Sequence, residues 1–341
     1  MDSFLPPGFA DAFGPVLATM ATLFLVSFAG FLAVRLKIID DKGVTALTRL
    51  LIDVIVPCRM AVSMMAGLNS ETLAQCGFII VLMATWTFVS LGLSSLATRV
   101  WRGGDPARNR AIWALSSFQN GIYVPLPLVL ALVPAEEQDL ATVYVGGAVI
   151  VMILCQWSIG VTLLRGREKG GRLSVRETLR GMVNPPLMAI LGGALLAFVP
   201  PFALAARTGE GPAVLTIPMS AAETVGSTLG PIAMIVLGMM IGGCRLSGAL
   251  SVRTLGIPIL IRLLLSPAVM LVFLMVGPLE GISSLVALVL IVEAAAPPAT
   301  NLSIIARRYG GDWEMIASAL LVTYLLALLT LPFFAAMILS K

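Results

Sequence analysis

Histidine is missing from all 341 residues, and charge is scarce: Lys, Arg, Asp and Glu together make up 12% of the chain. A soluble domain carries roughly 25% charged residues. Half of that leaves a surface water cannot solvate, which excludes a soluble enzyme, a disordered chain and a nucleic-acid binder. Cysteine is rarer still. Cys58, Cys76, Cys155 and Cys244 lie in or beside apolar stretches and form no CxxC pair. With no histidine to join them, zinc and haem sites are not expected, and the thiols read as small buried side chains. No HExxH, no suitably flanked aspartate pair and no GxxxxGK[ST] loop occurs, so a membrane-embedded enzyme and an ATP-driven pump both lack their chemistry. The opening MDSFLPPGFADAFG is acidic and has no basic stretch, so no cleaved signal peptide is expected.

What the chain has is apolar length. Hydrophobic residues make up 58% of it, and the mean hydropathy is +1.00. A membrane-spanning helix needs about 20 apolar residues. Such stretches fall at 15–34, 45–66, 77–98, 109–133, 141–164, 184–200, 217–243, 254–276, 283–306 and 313–339, which predicts about ten spans and leaves no room for a soluble sensor domain. The shortest, 184–200, opens on Asn184-Pro185-Pro186, which suits a helix start because the first turn needs no backbone donor.

Eighteen of the 22 Lys and Arg residues fall in the odd-numbered connections, and only Arg207 and Lys341 fall on the other side. Basic loops stay in the cytoplasm. The bias therefore predicts odd loops inside and both termini outside. Asp139, Glu210 and Glu280 belong to the acidic outer set. The one long polar segment, 165–183, divides the chain into 1–164 and 184–341. It reads either as a basic amphipathic helix on the inner membrane surface or as a solvated linker.

Five spans on each side of that linker force the halves into opposite orientations, the plan of inverted-repeat transporters. Internal echoes agree. VPCRMAVSMMAG (56–67) matches GPIAMIVLGMMIGG (230–243) in its proline and its small-residue ending. At a nearly equal offset, QNGIYVPLP (119–127) in span four meets EAAAPPATN (293–301) in span nine. Both are apolar helices interrupted by proline at mid-depth. A proline removes a donor and clashes with the carbonyl four residues back. Hydrocarbon cannot satisfy the freed backbone groups, so they line a cavity or bind something. Half-helix N-termini carry partial positive charge and favour an anion. Ordinary proline kinks are the competing reading.

These residues resemble the auxin efflux carrier family, particularly its short bacterial members. The resemblance spans nearly the whole chain. It rests on NPPLMAILGG (184–193), PIAMIVLGMMIGG (231–243), APPATNLSIIARRYGGDWEMIASALLVTYLLALLTLPFF (296–334) and FQNGIYVPLPLVLAL (118–132). It implies an all-α integral membrane fold with two inverted five-helix repeats. Spans one, two, six and seven would form a scaffold, often dimeric, and the other six a moving transport domain. Spans four and nine would cross at their prolines, here Pro125 or Pro127 and Pro297 or Pro298. Family substrates are organic anions: auxin in plants, and dicarboxylates such as malate or malonate in bacteria. The short linker favours the bacterial type, which would sit in the inner membrane.

The substrate candidates are therefore Asn120, Gly121, Tyr123, Pro125, Pro297, Pro298, Thr300 and Asn301, with Gln119 beside them. The asparagine amides would donate to a carboxylate or cap the broken helices. Asp53, Arg59, Glu223, Arg262 and Glu293 also lie within spans, where an ionised group costs roughly 2.5–3.5 kcal/mol and so needs a partner or a wet cavity. Glu293 reads as a proton- or cation-coupling site or as a partner of Arg262. Asp53 reads as a coupling site or as a local partner of Arg59, and either arginine as a substrate clamp. Glu223 reads as solvated. Gly238, Gly242, Gly243, Ala66 and Gly67 read as helix-packing positions suited to a homodimer scaffold. The expected function is secondary transport of small mono- or dicarboxylates without a cofactor. The alternative is a sodium- or proton-coupled carrier of the bile-acid symporter or cation–proton antiporter type.

Overall fold

A computed structural model describes residue 6 and residues 8–100, 105–165, 175–243, 252–276 and 282–340. Cys244, Arg102, Arg245, Glu280, Lys341 and most of the linker lie outside the described residues. Within them, regular structure is helical throughout. Seven helices are long and apolar enough to cross a membrane: α1 (Phe9–Arg35), α2 (Asp41–Gly67), α3 (Ser70–Val100), α6 (Ala135–Leu164), α10 (Ala213–Gly243), α11 (Thr254–Val276) and α14 (Trp313–Leu339). They fall on seven of the ten expected stretches.

The other three stretches are built from shorter pieces. The fourth consists of α4 (Pro106–Ser117) and α5 (Pro125–Leu132). The sixth is α8 (Pro185–Leu196), which follows the amphipathic α7 (Val175–Met182) and precedes α9 (Pro200–Thr208). The ninth consists of α12 (Ser284–Ala295) and α13 (Asn301–Tyr309).

Local chemistry explains the helix starts. Asp40, Asn184, Ser283 and Asp312 cap α2, α8, α12 and α14 by accepting from a backbone N–H three residues on. Prolines occupy the first turn of α4, α5, α8 and α9, where a missing donor costs nothing. Three long helices are locally wound with π spacing: Leu51–Ile55 in α2, Gln156–Gly160 in α6 and Ile259–Leu265 in α11. Such bulges re-aim side chains and recur at functional sites.

Helix α1 packs along α10, and α2 packs on α8 and α6. The α1–α10 seam depends on glycine. A Cβ on Gly238 would lie 1.6 Å from the Ser27 carbonyl oxygen, and one on Gly30 would lie 2.0 Å from that of Ile235. Such contacts let two backbones approach to where no side chain fits. Gly242 packs against Phe31 in the same seam. Gly243 plays no part, since a Cβ added there would have nothing within 4 Å. Outside, Leu25, Phe28, Val81, Phe88, Leu195, Ile217 and Val272 are exposed, a surface suited to lipid rather than water.

Candidate functional site at the crossing of two broken helices

The two interruptions meet. Between α4 and α5 the chain runs unwound from Phe118 to Val124, and between α12 and α13 it runs from Ala296 to Thr300. These segments lie antiparallel, with Gln119 opposite Pro298. The Asn120 N–H donates to the Pro297 carbonyl at 2.9 Å, and the Ala299 N–H donates to the Phe118 carbonyl at 2.9 Å. Pro297 and Pro298 have no N–H of their own, so the ladder stops at these two bonds. The freed backbone of each break is thus partly satisfied by the other. Residues 114–129 and 288–300 are all buried, so the crossing is closed off in this conformation.

Side chains lock the first break. Asn120 Oδ1 accepts from the Ile122 N–H at 3.1 Å and the Tyr123 N–H at 2.9 Å, an Asx turn leading into α5. Its Nδ2 donates to the Tyr324 hydroxyl on α14. Gln119 Nε2 donates to Met83 Sδ at 3.9 Å. The Gly121 N–H donates to Met152 Sδ at 3.3 Å. A Cβ at Gly121 would meet Val149, Met152 and Glu293 Oε1 at 3.3–3.5 Å, so the break packs closely against α6 and α12. Pro125 opens α5 and Pro127 follows two residues later.

Arg262 locks the second. It is buried on the π-wound stretch of α11. Its Nε donates to the Ala296 carbonyl at 2.9 Å, and its Nη2 donates to those of Glu293 at 2.7 Å and Ala294 at 3.1 Å. These are the last carbonyls of α12, which a helix end leaves orphaned. A cation there also offsets the negative end of the helix dipole. Arg262 therefore holds the main chain of α12, not the Glu293 carboxylate.

Several polar atoms at the crossing have no partner among the described residues. Both Glu293 carboxylate oxygens are buried and unbonded, as are the Tyr123 hydroxyl, Thr300 Oγ1, Arg262 Nη1, Ser117 Oγ and Ser266 Oγ. Thr300 stands at the cap position of α13 without capping it, and Asn301, the first residue of α13, is half-buried. Buried polar groups in proteins are nearly always paired. Seven such atoms lie on the two breaks and the helices that flank them.

The other charged candidates form a separate node. Arg59 is buried on α2. Its Nη1 lies 2.7 Å from Glu223 Oε1 on α10, and its Nη2 lies 3.3 Å from Asp139 Oδ1 on α6. Its Nε donates to Thr142 Oγ1 at 3.3 Å, and Ser63 Oγ donates to the same Asp139 oxygen at 2.8 Å. Glu223 is thus an ion-pair partner and not merely solvated. Asp53 is exposed, and Arg59 pairs with distant residues instead of with it. Asp139 and Glu223 line a cavity of about 730 Å³ with Val62, Thr216, Ser220 and Ser227. Of the packing positions, Gly67 meets Val143 on α6, and the Ala66 carbonyl accepts from Arg207 Nε at 3.0 Å.

Tyr324, Met83, Met152 and Gln156 also belong to the crossing, and no motif marks them. Gln156 Nε2 donates to the Gln119 carbonyl at 3.4 Å. As the one amide side chain in span 141–164, it carries the only signal in the sequence that points to it. A family model described as a membrane transport protein matches residues 15–335. No curated protein matches the chain.

Proposed function

The chain belongs to the membrane transport protein family, the auxin efflux carrier group, and from that premise we propose that it moves small organic anions, mono- or dicarboxylates, by alternating access. As a member it is a multi-pass membrane transporter. The observation that carries the finer reading is the buried crossing of two broken helices with its unspent polar atoms.

Four helix ends converge there. The N-termini of α5 and α13 present partial positive charge, and the C-termini of α4 and α12 present negative charge. Arg262 offsets the α12 end through three carbonyls, so the sum favours an anion. Tyr123, Thr300 and Asn301 supply donors for it, and Pro125, Pro297 and Pro298 keep the backbone open around them. Cation exchange would need carboxylates at the crossing, and Glu293, three residues before the second break, is the only one beside either break.

In this reading residues 1–164 and 184–341 are inverted repeats. The pairing of α1 with α10, and of α8 with α2, supports it, because a five-helix inversion maps one contact onto the other. Helices α1, α2, α8 and α10 serve as the scaffold and its dimer face. The remainder, α3–α6 and α11–α14, moves and exposes the crossing to each side in turn. The basic odd loops support an inner-membrane orientation with both termini outside. The test is counterflow in proteoliposomes: preloaded unlabelled carboxylate should drive saturable entry of labelled malonate, malate or a monocarboxylate. If no carboxylate shows saturable exchange, the reading fails.

A further inference from the structure

We propose that Glu293 is a proton-binding site, and that one proton is carried across the membrane with each carboxylate bound at the crossing. The second half rests on the organic-anion reading; the first does not.

The argument begins with charge balance. Glu293 is completely buried near the end of α12, and the Gln119 amide of the first break is the side chain that reaches toward its carboxylate. The groups facing it from packed elements are few. Arg262 on α11 is the buried cation beside it. Gln119 in the first break is a neutral amide, whose Nε2 donates to Met83 Sδ. Tyr324 on α14 is taken by Asn120, Tyr123 lies in the first break, and Tyr144, Cys155 and Cys76 stand on α6 and α3. The other charged residues of those same helices, Glu71, Arg99, Glu136, Glu137, Asp139 and Glu314, stand near helix ends.

With Glu293 ionised, the fixed charges of the crossing are one positive and one negative. A bound carboxylate would then leave one uncompensated negative charge in a closed, desolvated site. Burying an unpaired ion costs several kcal/mol even after relaxation. A proton taken from solution by the Glu293 carboxylate removes one of these negative charges: Glu293 becomes a neutral acid, and the Arg262 charge balances one carboxylate of the substrate, which neutralises the site for a monocarboxylate and leaves a dicarboxylate its second charge. Opening to the other side rehydrates the site, so proton and anion can leave together. The balance is one proton taken up and one released per cycle.

Sodium fits this place poorly. A hard cation asks for about six oxygen ligands. The carbonyls of Glu293, Ala294 and Ala296 are already committed to Arg262, so a cation there would have to rely on the Glu293 carboxylate and scattered hydroxyls. A guanidinium at that distance also repels a second cation. No group of three or more acidic, cysteine or histidine residues that could hold a metal exists among the described residues.

Two measurements on the purified full chain test this. Infrared spectroscopy at neutral pH should show the carbonyl stretch of a buried protonated carboxylic acid, and Glu293→Gln should remove it. If wild type lacks the band, the proposal is overturned whatever transport shows. In proteoliposomes with the membrane potential clamped, a tenfold proton gradient should raise malonate accumulation about tenfold for one proton per anion. Glu293→Gln should lose that dependence on the proton gradient, whatever rate of malonate counterflow it retains. Gradient-independent accumulation by wild type, or gradient-driven accumulation by the variant, refutes coupling. A band without any carboxylate counterflow would uphold the proton site and overturn the anion reading. If Glu293→Gln fails to fold, the wild-type gradient response and the loss of the band with rising pH decide the question.

Discussion

The backbone N–H of Asn120 donates to the carbonyl of Pro297 across 2.9 Å, joining the first break to the second. Neither break could persist alone in hydrocarbon, because an unwound stretch leaves amides and carbonyls that lipid cannot satisfy. Together they supply each other's partners, and the remainder is handled by Asn120 on one side and Arg262 on the other. The crossing is therefore a cooperative unit. Its locks differ in kind: one is a neutral amide, the other a cation.

The two asparagines at the breaks should separate in their effects. Asn120→Ala strands the Ile122 and Tyr123 N–H groups and the Tyr324 hydroxyl in a buried site. Each unsatisfied group costs about 1–3 kcal/mol, so the melting temperature should drop together with affinity. Asn301 is half-buried. Asn301→Ala should leave the melting temperature within a degree or two of wild type, as surface changes do, and raise the KM for the transported carboxylate. Thermal unfolding and counterflow kinetics on both variants check this. Equal melting losses would mean that Asn301 also has a structural role.

Pro297→Ala with Pro298→Ala restores two backbone donors and removes two ring clashes. The Ala296–Thr300 stretch is then free to continue α12 into α13, at the expense of the Asn120–Pro297 and Ala299–Phe118 bonds. Turnover should fall at least tenfold, about 1.4 kcal/mol in the barrier, while the protein stays folded. Wild-type turnover in the double variant would show that transport does not need the crossing.

Proline is what made the crossing legible. Its missing N–H acts locally, so Pro125, Pro127, Pro297 and Pro298 announced both interruptions from the sequence, and their similar offset tied them together. Apolar length announced seven of the long helices in the same way. Partners were not legible, because they depend on packing between distant segments. Arg59 was within six positions of Asp53, yet it pairs with Asp139 and Glu223, 80 and 164 residues away, while Asp53 faces out. Arg262 sits as expected near Glu293, but the π winding of Ile259–Leu265 delivers it to main-chain carbonyls. Nothing in a run of leucines marks Tyr324 as the partner of Asn120.

The α1–α10 seam gives a stability test with a built-in control. Gly238→Val places a branched side chain where a single Cβ would already be 1.6 Å from the Ser27 carbonyl. Overpacking costs typically ~1–3 kcal/mol when neighbours can yield; a backbone carbonyl yields less than a side chain, so the variant should melt far below wild type or fail to fold. Gly243→Ala lies five residues on in the same helix, with nothing within 4 Å of its new Cβ. It should melt at or slightly above wild type, since alanine favours the helix by up to ~1 kcal/mol. Similar losses for both would mean that the seam is not a close backbone contact.

The Arg59 node should report on motion. Arg59 and Glu223 sit on α2 and α10, which the proposed division assigns to the scaffold, whereas Asp139 and Thr142 sit on α6 in the moving part. Sliding one against the other must break the 3.3 Å Arg59–Asp139 contact and can spare the 2.7 Å Arg59–Glu223 one. Asp139→Asn removes charge from the link that breaks. Both carboxylates are about two-fifths exposed, so water screens the pair, and its loss is worth on the order of 1 kcal/mol or less. That is enough to shift a two-state balance up to about fivefold. Glu223→Gln should instead lower the melting temperature and leave the balance nearly unchanged. A cysteine introduced at Ser220, which lines the adjacent cavity, reads the balance through its rate of labelling by a membrane-impermeant maleimide. Labelling should change in the Asp139→Asn background and not in the Glu223→Gln background. If both backgrounds label like wild type, Arg59 does not bridge two bodies that move apart, and the boundary between scaffold and transport domain runs elsewhere.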